Sequence, residues 1–178
     1  KGDGRAHVAD PAVGIPFAAV TFFDADIEIP VAEGSTYSEF TASLDHNLPS
    51  KSVFYAIRME GLFPAMVVRS VDAQQEPYPR LADALEFQKV YEYGNISGSL
   101  VGLYSPQNVG GLNVPGYHLH FISEDRRTGG HVLAFVAPEG AAELDATPQL
   151  HVVFREGANV ADPGANLTDE LERAEKQR

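Results

Sequence analysis

The sequence has no cysteine among its 178 residues, so no disulfide framework stabilises it and thiolate-bound metal is excluded. Any metal chemistry therefore falls to histidine and carboxylate. Cations are also scarce. Thirteen Lys and Arg stand against 25 Asp and Glu, and the formal net charge of -12 argues against nucleic acid and anionic membrane surfaces as partners. A small anionic substrate would then need a local positive site. No apolar run approaches the roughly 18 residues of a membrane-spanning helix. Lys1-Gly2-Asp3-Gly4 has no signal-peptide pattern, which is uninformative about export; a cytoplasmic location is the expectation, with secretion left open. No repeat with a period of about 20 to 50 residues is evident.

What is present is enough for a core. A hydrophobic content of 44% over this length suits one compact domain, or two small halves, 1–79 and 80–178, joined across the polar, proline-containing stretch 72–79. Residues 1–16 read as a loose, glycine- and proline-rich lead. Phe17 to Phe23 is a near-continuous run of strand formers and predicts a strand covered on both faces. Thr36-Tyr37-Ser38-Glu39 has the capping-box pattern, and Tyr37, Phe40, Leu44 and Leu48 follow at helical spacing before Pro49, predicting a helix over about 36–47. Val53–Met59 and Leu62–Val71 predict a hairpin turning at Glu60-Gly61, with Pro64 at an edge or a bulge. A short helix at 81–85 precedes strands at 90–93 and 99–104 around a glycine-containing turn. A glycine-rich loop spans 105–115, a last strand covers 149–154, and a small-residue linker leads to a tail helix capped by Asn166. The fold class is α+β, mostly antiparallel sheet with hairpins and few short helices.

The chain is organised around Gly116-Tyr117-His118-Leu119-His120-Phe121-Ile122-Ser123 and His131-Val132-Leu133-Ala134-Phe135-Val136, two β-rich arms joined by a charged turn that ends in Gly129-Gly130. In a strand, residues two apart share a face, so His118 and His120 project together, opposite Leu119 and Phe121. With an even-numbered loop, the hairpin register brings His131 to that same face. A His-x-His pair alone describes many half-exposed strand faces. The third histidine, in an apolar strand where it has no packing advantage over valine, makes the trio a metal site. Three rigidly held nitrogens with an open fourth position are what a catalytic Zn²⁺ requires. His7, His46 and His151 show no such clustering.

Arg69, in Met66-Val67-Val68-Arg69-Ser70-Val71, must either reach solvent or find an anion, because an unpaired buried guanidinium is costly. Arg58 lies beside the expected turn at Glu60-Gly61, where a solvated arginine is unremarkable, and is left out of the site. Glu124, in the charged turn, reads as exposed.

The stretch Asn113-Val114-Pro115-Gly116-Tyr117-His118-Leu119-His120-Phe121-Ile122-Ser123-Glu124-Asp125-Arg126-Arg127, with Gly129-Gly130-His131-Val132-Leu133, closely resembles the signature of bacterial acetolactate decarboxylases. The resemblance extends through Pro16–Phe23, Phe54–Arg58, Arg69-Ser70-Val71 and Pro77-Tyr78-Pro79. It implies zinc on His118, His120 and His131, an active-site role for Arg69, and a glutamate from the carboxy-terminal tail, matched by Glu175. It also implies a second glutamate from a segment that precedes residue 1 in family members. The implied reaction converts 2-acetolactate, a small anionic 2-hydroxy-3-keto acid, to acetoin and CO2. A homodimer is compatible with this reading. Two narrower likenesses stand beside it. His118-x-His120 followed by Glu124 is similar to the first metal motif of cupins, whose second motif is missing. The His-x-His and Gly-Gly-His pattern resembles the plant and prokaryote conserved domain, an oligomerising module of some DNA-binding proteins.

Overall fold

The computed structural model describes residues 2–11, 18–75, 81–109 and 113–153. Strand β1 (Ile27–Val31), helix α1 (Tyr37–Asn47), strand β2 (Phe54–Ser70), helix α2 (Leu81–Leu85) and strand β3 (Lys89–Ser105) come first. A one-turn 3-10 helix (Gln107–Val109), β4 (Gly116–Ser123), β5 (Gly129–Val136) and β6 (Gly140–Thr147) follow. All strand pairs are antiparallel, in the order β1-β6-β2-β3-β4-β5, and the architecture is α+β with mostly antiparallel sheet. The carboxy-terminal part of β2 also pairs with β5, so β2, β3, β4 and β5 close into a four-stranded ring, while β6 and β1 extend the sheet from the start of β2. Among the described residues, no helix is long and apolar enough to cross a membrane.

The core lies inside that ring. Phe63 is fully buried and meets Phe121 and Phe135 edge-on, with ring centroids 5.5 and 6.0 Å away. Sequestering a side chain of this size contributes about 1.5 to 3 kcal/mol. Helix α1 closes one end by laying Phe40 against Phe135 at 5.3 Å and burying Leu44 beside it. The expected capping box starts this helix: Thr36 Oγ1 accepts from the Glu39 amide, and the Glu39 carboxylate accepts from the Thr36 amide. The Thr36 amide first, and then the Thr36 hydroxyl, both donate to the Glu39 carboxylate and hold it below its usual range.

Several expectations are corrected. Residues 18–23 form no strand, and Val20 and Phe22 are fully exposed; Phe17 lies outside the described residues. Among the described residues, this segment has no ladder partner. It is tied down further along, where Asp24 and Asp26 donate their amides to Asp145 Oδ2 and the Leu144 carbonyl. The two expected short hairpins are instead two 17-residue strands, β2 and β3, paired with each other from Tyr55↔Tyr104 to Ser70↔Lys89. Glu60-Gly61 makes no turn, because both residues have ladder partners in β3, and Gly61 lies against Pro138 where a Cβ would come within 2.7 Å of the proline ring. Residues 149–153 are not a strand. The last strand among the described residues is β6, whose alanine- and acid-rich sequence has low β-propensity but fills the place between β1 and β2, burying Ala142 and Leu144. The linker after 154, the tail helix and its Asn166 cap lie outside the described residues.

Candidate metal centre

The histidine hairpin forms as β4 and β5. Its turn is set by Asp125, whose carboxylate accepts from Ser123 Oγ at 2.7 Å and from the Arg127 amide at 3.0 Å, with Arg126 in the left-handed region. Those two bonds hold the Asp125 carboxyl below its usual range. The register that follows pairs His120 directly with His131. His118 lies two residues back on the same face.

Two glycines allow the strands this close. A Cβ on Gly102 of β3 would collide with the His118 carbonyl, and one on Gly130 would come within 2.6 Å of the Arg69 carbonyl. Of the Gly129-Gly130 pair, read from sequence as the end of a turn, Gly129 therefore lets β5 seat against the Phe121 carbonyl of β4 and Gly130 lets it seat against β2 immediately before His131.

The three imidazoles converge. Their ring centroids are 5.0 Å (His118 to His120), 4.8 Å (His118 to His131) and 5.3 Å (His120 to His131) apart. His118 Nε2 and His120 Nε2 are 3.0 Å apart, and one nitrogen from each of the three lies within 4.8 Å of the others. Nitrogens bound at 2.0–2.1 Å to one tetrahedral ion stand roughly 3.3 Å apart, so small rotations of the exposed His120 ring and the half-buried His118 and His131 rings suffice for all three to hold a single metal ion. Rigid strands fix the backbones, and the all-nitrogen donor set suits a borderline ion.

Arg69 is the ladder partner of His131 on the other side of β5. It is only 5% exposed, and its Nη1 donates to Gln88 Oε1 at 3.1 Å, just beyond α2. Glu175 lies outside the described residues. Glu124 is exposed in the β4–β5 turn, its amide bonded to the Ser97 carbonyl. His7 bonds Asp3, His46 ends α1, and His151 is exposed, all apart from the trio.

His118 and His120 form one wall of a cavity of about 510 Å³. Ala56, Ile57, Val101 and Leu103 make its floor, and residues 18–23 pass over it. Arg58, set aside from sequence, lines it too. Its Nε donates to Glu143 Oε2 at 2.7 Å, and its guanidinium lies 4.9 Å from the centre of the Phe23 ring. The pairing favours both charged forms, raising Arg58 and lowering Glu143, in each case through their shared hydrogen bond first. Alternation with buried Ile57 and Met59 gives the face of Arg58, but not which strands flank it.

The family model described as alpha-acetolactate decarboxylase matches residues 1–162. The chain is 43% identical over 178 residues to the alpha-acetolactate decarboxylase of Methanosarcina mazei, covering 99% of this chain and 62% of that protein. It is 38% identical over 177 residues to that of Methylococcus capsulatus, covering 98% of this chain and 68% of that one. The crystal structure of alpha-acetolactate decarboxylase from Bacillus subtilis strain 168 matches the fold with a TM-score of 0.91 at 30% identity, over 99% of this chain and 77% of that one. The chain thus spans less than two thirds of the length of its Methanosarcina relative.

Proposed function

Because the chain belongs to the alpha-acetolactate decarboxylase family, we propose that it converts 2-acetolactate to acetoin and CO2, with a zinc ion held by His118, His120 and His131. The observation that carries this reading is the convergence of the three imidazoles, two of which, His118 and His120, line a small, largely apolar cavity. Bound there, zinc supplies a Lewis acid for the ketone and hydroxyl oxygens of the substrate.

The residues around it have separate tasks. The histidines act as neutral donors, and their strand positions set where the substrate oxygens sit. Arg69, directly across from His131, orients the anionic end of the substrate, and Gln88 holds one edge of its guanidinium. The bond to the carboxylate carbon breaks and CO2 leaves. The apolar walls of the cavity favour the loss of charge that accompanies this step. The electron pair remaining on the substrate carbon then takes a proton, which Glu175 delivers as general acid.

The test is metal analysis of the purified protein together with measurement of CO2 and acetoin formed from acetolactate. Stoichiometric zinc and equal amounts of both products are expected. Metal-free protein with full turnover would overturn the proposal.

A further inference from the structure

The sheet face that carries the histidines holds two buried residues that the metal centre does not account for. Ala56 of β2 faces Leu103 of β3, which faces His118 of β4, and on its other side Ala56 faces Asp145 of β6. Directly opposed residues of antiparallel strands share a face, so all four rise from one surface, opposite the core-facing Ile57 and Met59. Ala56 is nevertheless only 5% exposed and Asp145 only 8%. The segment 18–26 shields them. Asp145 Oδ2 accepts from the Asp24 amide at 3.2 Å, and Ala18, Ala19, Val20, Thr21 and Phe23 line the same cavity as Ala56.

This segment is fastened firmly at one place and lightly at another. Asp26 donates its amide to the Leu144 carbonyl at 2.8 Å and accepts from the Ala146 amide at 2.9 Å, which together with the Asp24 bond pins 24–26 to β6. Residues 18–23 make no backbone hydrogen bond among the described residues. Phe23 ties them to β2, its ring centre 4.9 Å from the Arg58 guanidinium, which Glu143 in turn holds through Nε at 2.7 Å. A ring resting on a partly solvated cation is a weak contact, easily made and unmade. Segments with few backbone hydrogen bonds and exposed apolar side chains, here Val20 and Phe22, are those that open at least cost. The cavity of about 510 Å³ has room for on the order of 15 waters, far more space than a molecule of a few carbon atoms fills. Loss of CO2 from a carboxylate is favoured once water is shut out, so a cover that closes on the substrate supplies what the open cavity lacks.

We propose that residues 18–23 form a hinged cover over the histidine cavity, turning about Asp24–Asp26 and latched by the ring of Phe23 on the Arg58–Glu143 pair. Opened, it admits the substrate; closed, it excludes water. Arg58 serves as the seat of the latch, and the carboxylate of the substrate stays with Arg69 beside His131. The proposal rests on the decarboxylase reading for what the cover encloses.

The experiment uses the absence of cysteine. Ala56→Cys places a single thiol on the cavity floor, two strand spacings from His118, and its rate of reaction with a small thiosulfonate reports how often the cover lifts. In the metal-loaded protein, Phe23→Ala and Arg58→Gln should each quicken labelling about 10-fold, and the double variant no more than either alone, because both break one latch. Arg58→Gln keeps the ring of Phe23, so its effect does not come from a hole in the wall. Arg58→Lys keeps a cation beneath the ring and should label near the parent rate, as should Phe22→Ala, whose ring is fully exposed. Without the thiol, Phe23→Ala and Arg58→Gln should lower kcat for acetolactate about 10-fold at unchanged metal content. Labelling unaffected by Phe23→Ala and Arg58→Gln, or effects that multiply in the double variant, would overturn the proposal. Should the wild type fail to turn over acetolactate, the decarboxylase reading falls, and the labelling rates still decide whether 18–23 is a cover.

Discussion

Arg58 and Arg69 lie on one strand, an odd number of residues apart, and both project from the face that carries the histidines. In a regular strand they would face opposite ways. The inward set on β2 is Tyr55, Ile57, Met59 and Phe63 before Pro64, then Met66 and Val68 after it, so the alternation slips once. The slip coincides with Pro64 and, across the ladder, Asn95 in the left-handed region. The β2–β3 register runs unbroken through this point, while the β2–β5 pairing shifts between Val67 and Val68, and the trio is left with an arginine on either side.

His120 is the central member of the trio, paired to His131 and two residues from His118. His120→Ala should lose bound metal and lower activity by more than the roughly 10- to 100-fold typical of outer-shell changes, with circular dichroism unaltered. Unfolding of this variant would indicate a structural ion instead.

Arg69→Lys keeps the charge but not the planar fork that reaches Gln88. With metal content unchanged, kcat should fall about 10²-fold if a misaligned substrate is the cause. Turnover close to wild type would remove Arg69 from the mechanism.

Glu175→Gln preserves shape while removing the transferable proton. A loss of about 10² to 10⁴ in kcat with normal metal content is the expected result. An unchanged rate would assign the proton to another group.

Tyr117 donates to Asp45 Oδ1 at 2.8 Å, tying the start of β4 to the last turn of α1. Burial first, then this hydrogen bond, pushes the phenol well above its usual value of 10. A raised native pKa means that the folded state keeps the proton more tightly than the unfolded chain. The stabilisation is complete below the unfolded pKa and declines as pH rises through about 10. Urea midpoints measured from about pH 8 to about pH 11 should therefore fall more steeply for the wild type than for Tyr117→Phe. Parallel curves would show that the phenol ionises freely in the native state.

Thr36→Ala removes the acceptor for the Glu39 amide and half of the capping box. A loss of about 1 kcal/mol in urea unfolding is expected, with no change in metal content, because the cap lies at the start of α1, at the opposite end from the Asp45–Tyr117 bond that ties the helix to β4 beside His118. A combined loss of metal would mean that α1 also positions the site.

By itself the sequence determined the features whose cause is local. The capping box needs only Thr36 and Glu39 three residues apart, and the shared face of His118 and His120 follows from the two-residue period of a strand. The absence of cysteine left nitrogen and oxygen as the available metal donors. What only the tertiary structure decided depends on partners distant in the chain. Gly61 looks like a turn residue until the full length of β3 is beside it and Pro138 fills the space a side chain would need. The residues of β6 have weak strand preference, and it is the vacant ladder between β1 and β2 that makes them a strand. Arg58 gave no signal because its neighbours are Val101, Glu143 and Phe23, each brought to it by closure of the sheet. A side chain's face can be counted along a regular strand, but only strand pairing determines what stands across from it.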